Sequence, residues 1–98
     1  MLNLYGDVKS QPARAVWILV LENEKLIGPY KICEVRISKN EHKTPEFLSI
    51  NPIGKVPAIK DESANDLKMF ESHAIMKYIC QSRKLADHWY PTSSNKDI

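Results

Sequence analysis

Five residues of this 98-residue chain stand out for chemistry by type and setting: Ser10, Val56, Pro57, Glu71 and Ser72. Ser10 opens the run SQPARAV at a helix start, where a hydroxyl can accept a backbone N–H and keep a proton to donate. Pro57 interrupts KVPAIKD, a stretch that otherwise reads as a strand. Proline offers a ladder no N–H and is confined to edges, strand starts and bulges. Glu71 and Ser72 sit between the strand-like LKMF and a helical run. A helix N-terminus presents unpaired N–H groups and a positive dipole end, which together seat a carboxylate. Lys55 directly precedes Val56, and His42 and Lys43 lie in the charged loop NEHK. Each has a plainer role. Ser10 and Ser72 can cap helices, Pro57 can start an edge strand, Glu71 can complement a helix dipole, and the loop charges can be solvated.

Composition narrows the classes of function. Hydrophobic residues make up 43% and charged residues 27% of the chain, a globular mixture for one domain. The net charge is +2 with signs interspersed, which argues against a dedicated nucleic-acid surface. No apolar run is long enough for a bilayer, and MLNLYGD lacks the features of a secretory signal. No membrane partner is expected. Cys33 and Cys80 form no C-x-x-C pair and read as buried free thiols, which suggests a reducing, cytoplasmic setting. No metal site is expected.

These residues need elements to hold them. Leu2 to Tyr5 alternates as a strand. Ala13, Val16, Trp17, Val20 and Leu21 recur at helical spacing, predicting a helix from about Gln11 to Asn23 with Pro12 in its first turn. Gly28-Pro29 breaks the chain, and YKICEVRI predicts a second strand reaching Ile37. TPEFLSI predicts a short helix with Thr44 as cap. Ala58 to Lys60 and Leu67 to Phe70 predict a hairpin across the turn DESAND. A last helix runs from Ser72 to about Arg83, with Ile75, Tyr78, Ile79, Met76 and Cys80 on a wide apolar face. The order is β-α-β-α-β-β-α, an α/β fold. The first βαβ unit is expected to be parallel and right-handed, within a four-stranded mixed sheet with helices packed on it.

That order, together with SQPARAV, NPIGKVPAIKD, FESHAIMKYI and DHWYP, resembles the thioredoxin-like N-terminal domain of cytosolic glutathione transferases, most closely the theta class. The resemblance runs from Leu2 to Pro91. It implies a cis bond before Pro57 and a Val56 backbone that pairs with the cysteinyl part of glutathione like an added strand. It implies that Ser72 and its helix end take the γ-glutamyl carboxylate, Glu71 the amino group, and Lys55 and His42 the glycyl carboxylate. Ser10 becomes the catalytic residue. It donates to the glutathione sulfur and favours the thiolate, because a free thiol with a pKa of about 8.5 is mostly protonated at neutral pH. Tyr5, the thiol activator in other classes, is set aside in favour of Ser10. Redox relatives carry cysteine at the Ser10 position, so disulfide exchange is not expected. Trp17 is expected in the core.

The resemblance further implies a domain at 1–86 and a linker or tail at 87–98, with Trp89 and Tyr90 at the boundary. Relatives continue into a helical domain that shapes the electrophile pocket. The 98 residues are therefore expected to bind glutathione and to turn over weakly or not at all alone. Completed by that domain, the protein would join glutathione to a small electrophile. Glutathione would be a co-substrate, with no other cofactor, and a homodimer is possible. The alternative is a non-catalytic module of the same fold that binds proteins. The last helix's apolar face is expected to be partly exposed in isolation.

Overall fold

Alternation in LNLYG builds β1 (Leu2–Gly6) in the computed structural model of the chain, which describes residues 1–85. Leu2 and Leu4 point into the main core, while Asn3 and Tyr5 point to the other face. Helix α1 (Gln11–Leu21) starts at Ser10, whose Oγ accepts from the Ala13 N–H at 3.3 Å, and Pro12 lies in its first turn. Ala13, Val16, Leu19 and Val20 are its buried face.

The expected extension to Asn23 does not occur. Asn23 turns back to donate from Nδ2 to the Leu19 carbonyl at 2.8 Å, satisfying a group the helix end leaves open. Its own carbonyl then starts a short helix, α2 (Glu24–Ile27), which periodicity did not reveal. Gly28, at φ +79°, closes that turn.

Strand β2 (Tyr30–Glu34) pairs in parallel with β1, Leu2 facing Tyr30 and Tyr5 facing Cys33. It stops three residues short of the expected Ile37. The Ile37 N–H is taken by the Asp7 carboxylate at 2.9 Å and the Arg36 N–H by the Glu41 carboxylate at 2.7 Å, so neither is free for a ladder. Two 3-10 turns, Ile37–Lys39 and Glu41–Lys43, lead to α3 (Pro45–Leu48), capped by Thr44. Strand β3 (Ala58–Asp61) runs antiparallel to β1, and β4 (Leu67–Phe70) antiparallel to β3 across a 3-10 turn at Glu62–Ala64. Helix α4 (Ser72–Ser82) follows. The mixed sheet has the order β2-β1-β3-β4.

Helices α1 and α4 cover one face. Leu2, Leu4, Val16, Val20, Ile59, Ile75 and Ile79 interlock there, each contributing about 1.5–3 kcal/mol from burial. Trp17 packs against this core, as expected. Cys80 joins it as a free thiol, and burial pushes its pKa up. On the other face, α3 lays Phe47 over Val35 and Ala58, with Tyr5, Ile50 and Val56 around them. The wide apolar face expected to be exposed on the last helix is not found. Ile75, Ile79 and Cys80 are buried, and Met76 and Tyr78 pack against the core. The exposed large apolar residues of the helices are Ile18 and Leu21 on α1 and Leu26 on α2.

A buried ion pair fastens the end of α4 to the sheet. Asp61, fully buried, accepts from the guanidinium of Arg83, from Tyr78 Oη at 2.6 Å and from the Ser63 hydroxyl at 2.6 Å. Arg83 Nε also donates to the Ile27 carbonyl at 3.4 Å, tying α2 to the same point.

The approach of α1 to β1 depends on Gly6. A Cβ there would meet Ala13 Cβ and the Trp17 ring at 2.8 Å each. Gly6→Ala is expected to cost about 1–3 kcal/mol through forced repacking, read as a lower urea midpoint with an unchanged slope.

Candidate functional site

The loop from β1 to α1 is held before any ligand is considered. Asp7 is nearly buried, and its carboxylate accepts from the Lys9 N–H and the Ile37 N–H, each at 2.9 Å. These two bonds hold its pKa below the usual carboxylate range. The Asp7 carbonyl accepts from the Ser10 N–H at 2.8 Å. Ser10 is thus fixed at the helix start. Its Oγ accepts the capping bond and, among the described residues, donates to nothing, so its proton is available.

The turn before β3 is braced from inside. Asn51 is fully buried. Its Nδ2 donates to the Lys55 carbonyl at 2.9 Å, its Oδ1 accepts from the Ile53 N–H at 3.1 Å, and its carbonyl accepts from the Gly54 N–H at 2.9 Å. Gly54 has φ +73°, and a Cβ on it would lie 2.9 Å from Lys43 Nζ and 3.1 Å from the His42 carbonyl. Its lack of a side chain lets the His42–Lys43 loop close against Lys55. Asn51 and Gly54 are positioning residues missed from sequence. The signal was present in NPIG, since Asn bonds its own backbone two residues on and Gly supplies positive φ. The Val56–Pro57 peptide is cis. Among the described residues, neither the N–H nor the C=O of Val56 is bonded.

At the β4–α4 junction the plainer role of Ser72, capping, is not seen. Glu71, not Ser72, is the N-cap residue, and its side chain makes no capping bond. Ser72 is the first helical residue. No acidic residue occupies the first turn of α4, so its leading N–H groups stay open and the dipole unanswered. Glu71 itself has φ +81° and ψ +112°, a conformation non-glycine residues seldom adopt and one that clusters at ligand sites.

Two hollows collect the predicted residues. One is lined by Ser10, His42, Lys43, Lys55 and Val56, together with Ile37 and Gly54. The other is lined by Lys55, Val56, Pro57, Glu71 and Ser72, together with Pro12, Ile53 and Phe70. They adjoin at Lys55 and Val56, which line both. All seven predicted residues, from four separate connections, therefore line these two adjoining hollows, which together form one depression. Nδ1 of His42 is buried there without a partner among the described residues. Tyr5 is not part of the depression. It faces the opposite side of the sheet from α1, with its ring centre 6.0 Å from that of Phe47. Trp89 and Tyr90, and with them the expected boundary at 86–87, lie outside the described residues.

The depression can hold an extended anionic peptide. Open backbone groups at Val56 serve its main chain, the bare α4 N-terminus an anion at one end, and Lys55 with His42 an anion at the other. Ser10 lies alongside with a hydroxyl proton to give. This constellation on a β-α-β-α-β-β-α frame defines a thioredoxin-like domain of the glutathione-transferase type. Residues 1–81 match the family model described as the glutathione S-transferase N-terminal domain, and the chain belongs to that family.

Its relatives include theta-class proteins. It is 46% identical over 98 residues to glutathione S-transferase T1 of Arabidopsis thaliana, covering 97% of this chain and 37% of that one. It is 40% identical over 91 residues to glutathione S-transferase theta-1 of Rattus norvegicus, covering 93% of this chain and 35% of that one. The fold superposes on human glutathione transferase theta-2, a structure in complex with glutathione, with TM-score 0.85 and 40% identity, over 98% of this chain and 37% of that one. The chain thus spans little more than a third of each. No helix among the described residues is long and apolar enough to cross a membrane.

Proposed function

We propose that this chain is the glutathione-binding part of a theta-like glutathione transferase, seating glutathione so that its sulfur lies beside Ser10. The observation that carries the reading is the open α4 N-terminus beside Glu71, at one end of a depression that holds Val56 and Lys55. In this reading the α4 N–H groups and Ser72 take the γ-glutamyl carboxylate, and Glu71 takes the ammonium. Val56 pairs with the cysteinyl backbone, and Lys55 and His42 take the glycyl carboxylate. Ser10 donates its proton to sulfur while its Oγ lone pair caps α1. Completed by a helical domain, the protein would join the thiolate to an electrophile. The sulfur attacks carbon, the leaving group departs, and the thiol proton goes to solvent. A cytoplasmic setting and a homodimer belong to the same proposal.

The test is a calorimetric comparison of glutathione with cysteinylglycine, which lacks the γ-glutamyl unit. Cysteinylglycine is expected to bind at least about tenfold more weakly, the loss of one charge-assisted contact. Glu71→Gln is expected to weaken glutathione binding and leave cysteinylglycine unchanged. Equal binding of the two ligands would remove the assignment of the α4 N-terminus.

A further inference from the structure

The sheet face away from α1 and α4 is only half covered. Phe47 of α3 lies over one end, and at the other Lys31 and Lys68 are exposed and Lys60 half-buried. The register places Lys31 beside Asn3, Asn3 beside Lys60, and Lys60 beside Lys68. All four point to this open face, opposite Leu2, Leu4 and Ile59. With strands about 4.8 Å apart, three lysines therefore stand in one straight row about 14 Å long. None of the three has an ion-pair partner among the described residues. Lys60 and Lys68 face each other directly, an arrangement that opposes folding. Glu62, just past β3, is engaged by Asn3 Nδ2 at 2.9 Å and by the terminal ammonium.

The next row along the strands is apolar: Cys33, Tyr5, Ala58 and Phe70. Cys33 and Tyr5 form one wall of a cleft of about 470 Å³, floored by Val35, Phe47 and Ile50. Glu34, Glu41 and Glu46 line it too, with Arg36, which pairs with Glu34 at 3.9 Å and with Glu41 at 3.2 Å. Neither the row nor the cleft belongs to the Ser10–Ser72 depression.

We propose that this face docks an acidic polypeptide segment, with carboxylates over Lys31, Lys60 and Lys68 and one aromatic or large aliphatic side chain in the Tyr5–Phe47 cleft. Charge complementarity calls for an anion, and the adjoining apolar cleft calls for an anchor of the same molecule. A nucleic-acid strand fits less well. Its phosphates continue at regular spacing, and beyond the single lysine row they would meet the apolar row of Cys33, Tyr5, Ala58 and Phe70. A peptide can alternate acid with apolar. The inference does not depend on glutathione.

The experiment is fluorescence anisotropy of the chain with a labelled peptide, Gly-Asp-Glu-Glu-Phe-Glu-Asp-Gly. Saturable binding is expected, weakened about tenfold in about 0.3 M salt and by alanine in place of the peptide's phenylalanine. Lys68→Glu is expected to weaken binding at least about tenfold while melting at or above the parent temperature, because it replaces a like-charge pair with an opposite one. Lys31→Glu is expected to weaken binding similarly, and Ser10→Ala to leave it unchanged. No peptide binding at millimolar concentration, or binding indifferent to Lys68→Glu, would overturn the proposal. So would tighter binding of oligothymidylate of equal charge. A dimer that Lys68→Glu dissociates, with no peptide bound, would give the face to a second copy and overturn it as well.

Discussion

Arg83→Ala is expected to remove about 3–5 kcal/mol of stability, most of what a domain this size possesses. Asp61 is fully buried and Arg83 nearly so, and the guanidinium meets both carboxylate oxygens. Without it, Asp61 keeps Tyr78 and Ser63 as donors but retains a buried charge with no counterion. Asp61→Asn with Arg83 intact should cost less, because Arg83 at the end of α4 can turn toward water. Urea unfolding of both variants checks the order. The same pair sets the acid limit of the fold. Hydrogen bonds from Arg83, Ser63 and Tyr78, aided by the Arg83 charge, outweigh desolvation and hold the Asp61 pKa well below its unfolded value. A depressed carboxylate contributes stability that is fully present above the unfolded pKa of about 4 and is lost as pH falls from there toward the folded value. Asp7 is depressed in the same direction by two backbone N–H groups. The melting temperature should therefore fall steeply below about pH 4 in the parent, and less steeply in Asp61→Asn.

Ser10→Ala has the second large effect, and it falls on chemistry. In the proposed reading, the Ser10 proton stabilises a thiolate next to the start of α1. Losing it should raise the pKa of bound glutathione by about one to two units and lower the thiolate fraction at neutral pH by about 10–100-fold. Turnover in the protein completed by its helical domain should fall by the same factor. Affinity should change little, because the main-chain and carboxylate contacts lie elsewhere. Thiolate absorbance of the bound complex against pH separates these effects. The capping bond from Ala13 at 3.3 Å is also lost, which should cost the fold about 1 kcal/mol. Ser10→Thr keeps both the donor and the cap and should restore the thiol pKa. A collapse of affinity with an unmoved pKa would mean that Ser10 only caps α1.

Local features of the chain were legible from sequence. Ser10 with Pro12, Thr44 with Pro45, and the period of Ala13, Val16 and Val20 each mark an element by short-range chemistry, although Leu21, read on the same face, is exposed and Leu19 is buried in its place. The parallel β1–β2 pair and the β3–β4 hairpin follow from connection lengths. What escaped was set by distant partners. Strand β2 ends early because Asp7 and Glu41 take its next N–H groups. Asn51, not singled out from sequence, proves to be the internal brace of the turn that presents Val56. Asp61 read as the start of a turn and is a fully buried carboxylate held by Arg83, Tyr78 and Ser63. Helix α4 starts at Ser72 as read from sequence, but nothing in the sequence showed that the chain reaches it through Glu71 at positive φ and leaves the N–H groups bare. Lysines at 31, 60 and 68 are unremarkable along the chain and form a row only once the strands pair. The seven predicted site residues come from four connections, and their motifs carried them because each loop announces its own turn chemistry.

The most direct test of the central claim is an NMR titration of the 98-residue chain with reduced glutathione, following backbone amides. The account predicts saturable shifts at Ser10, Val56, Glu71 and Ser72, with Lys31, Lys60 and Lys68 unmoved. Amides at those four sites that stay still at millimolar glutathione, or shifts confined to the lysine row, would contradict it.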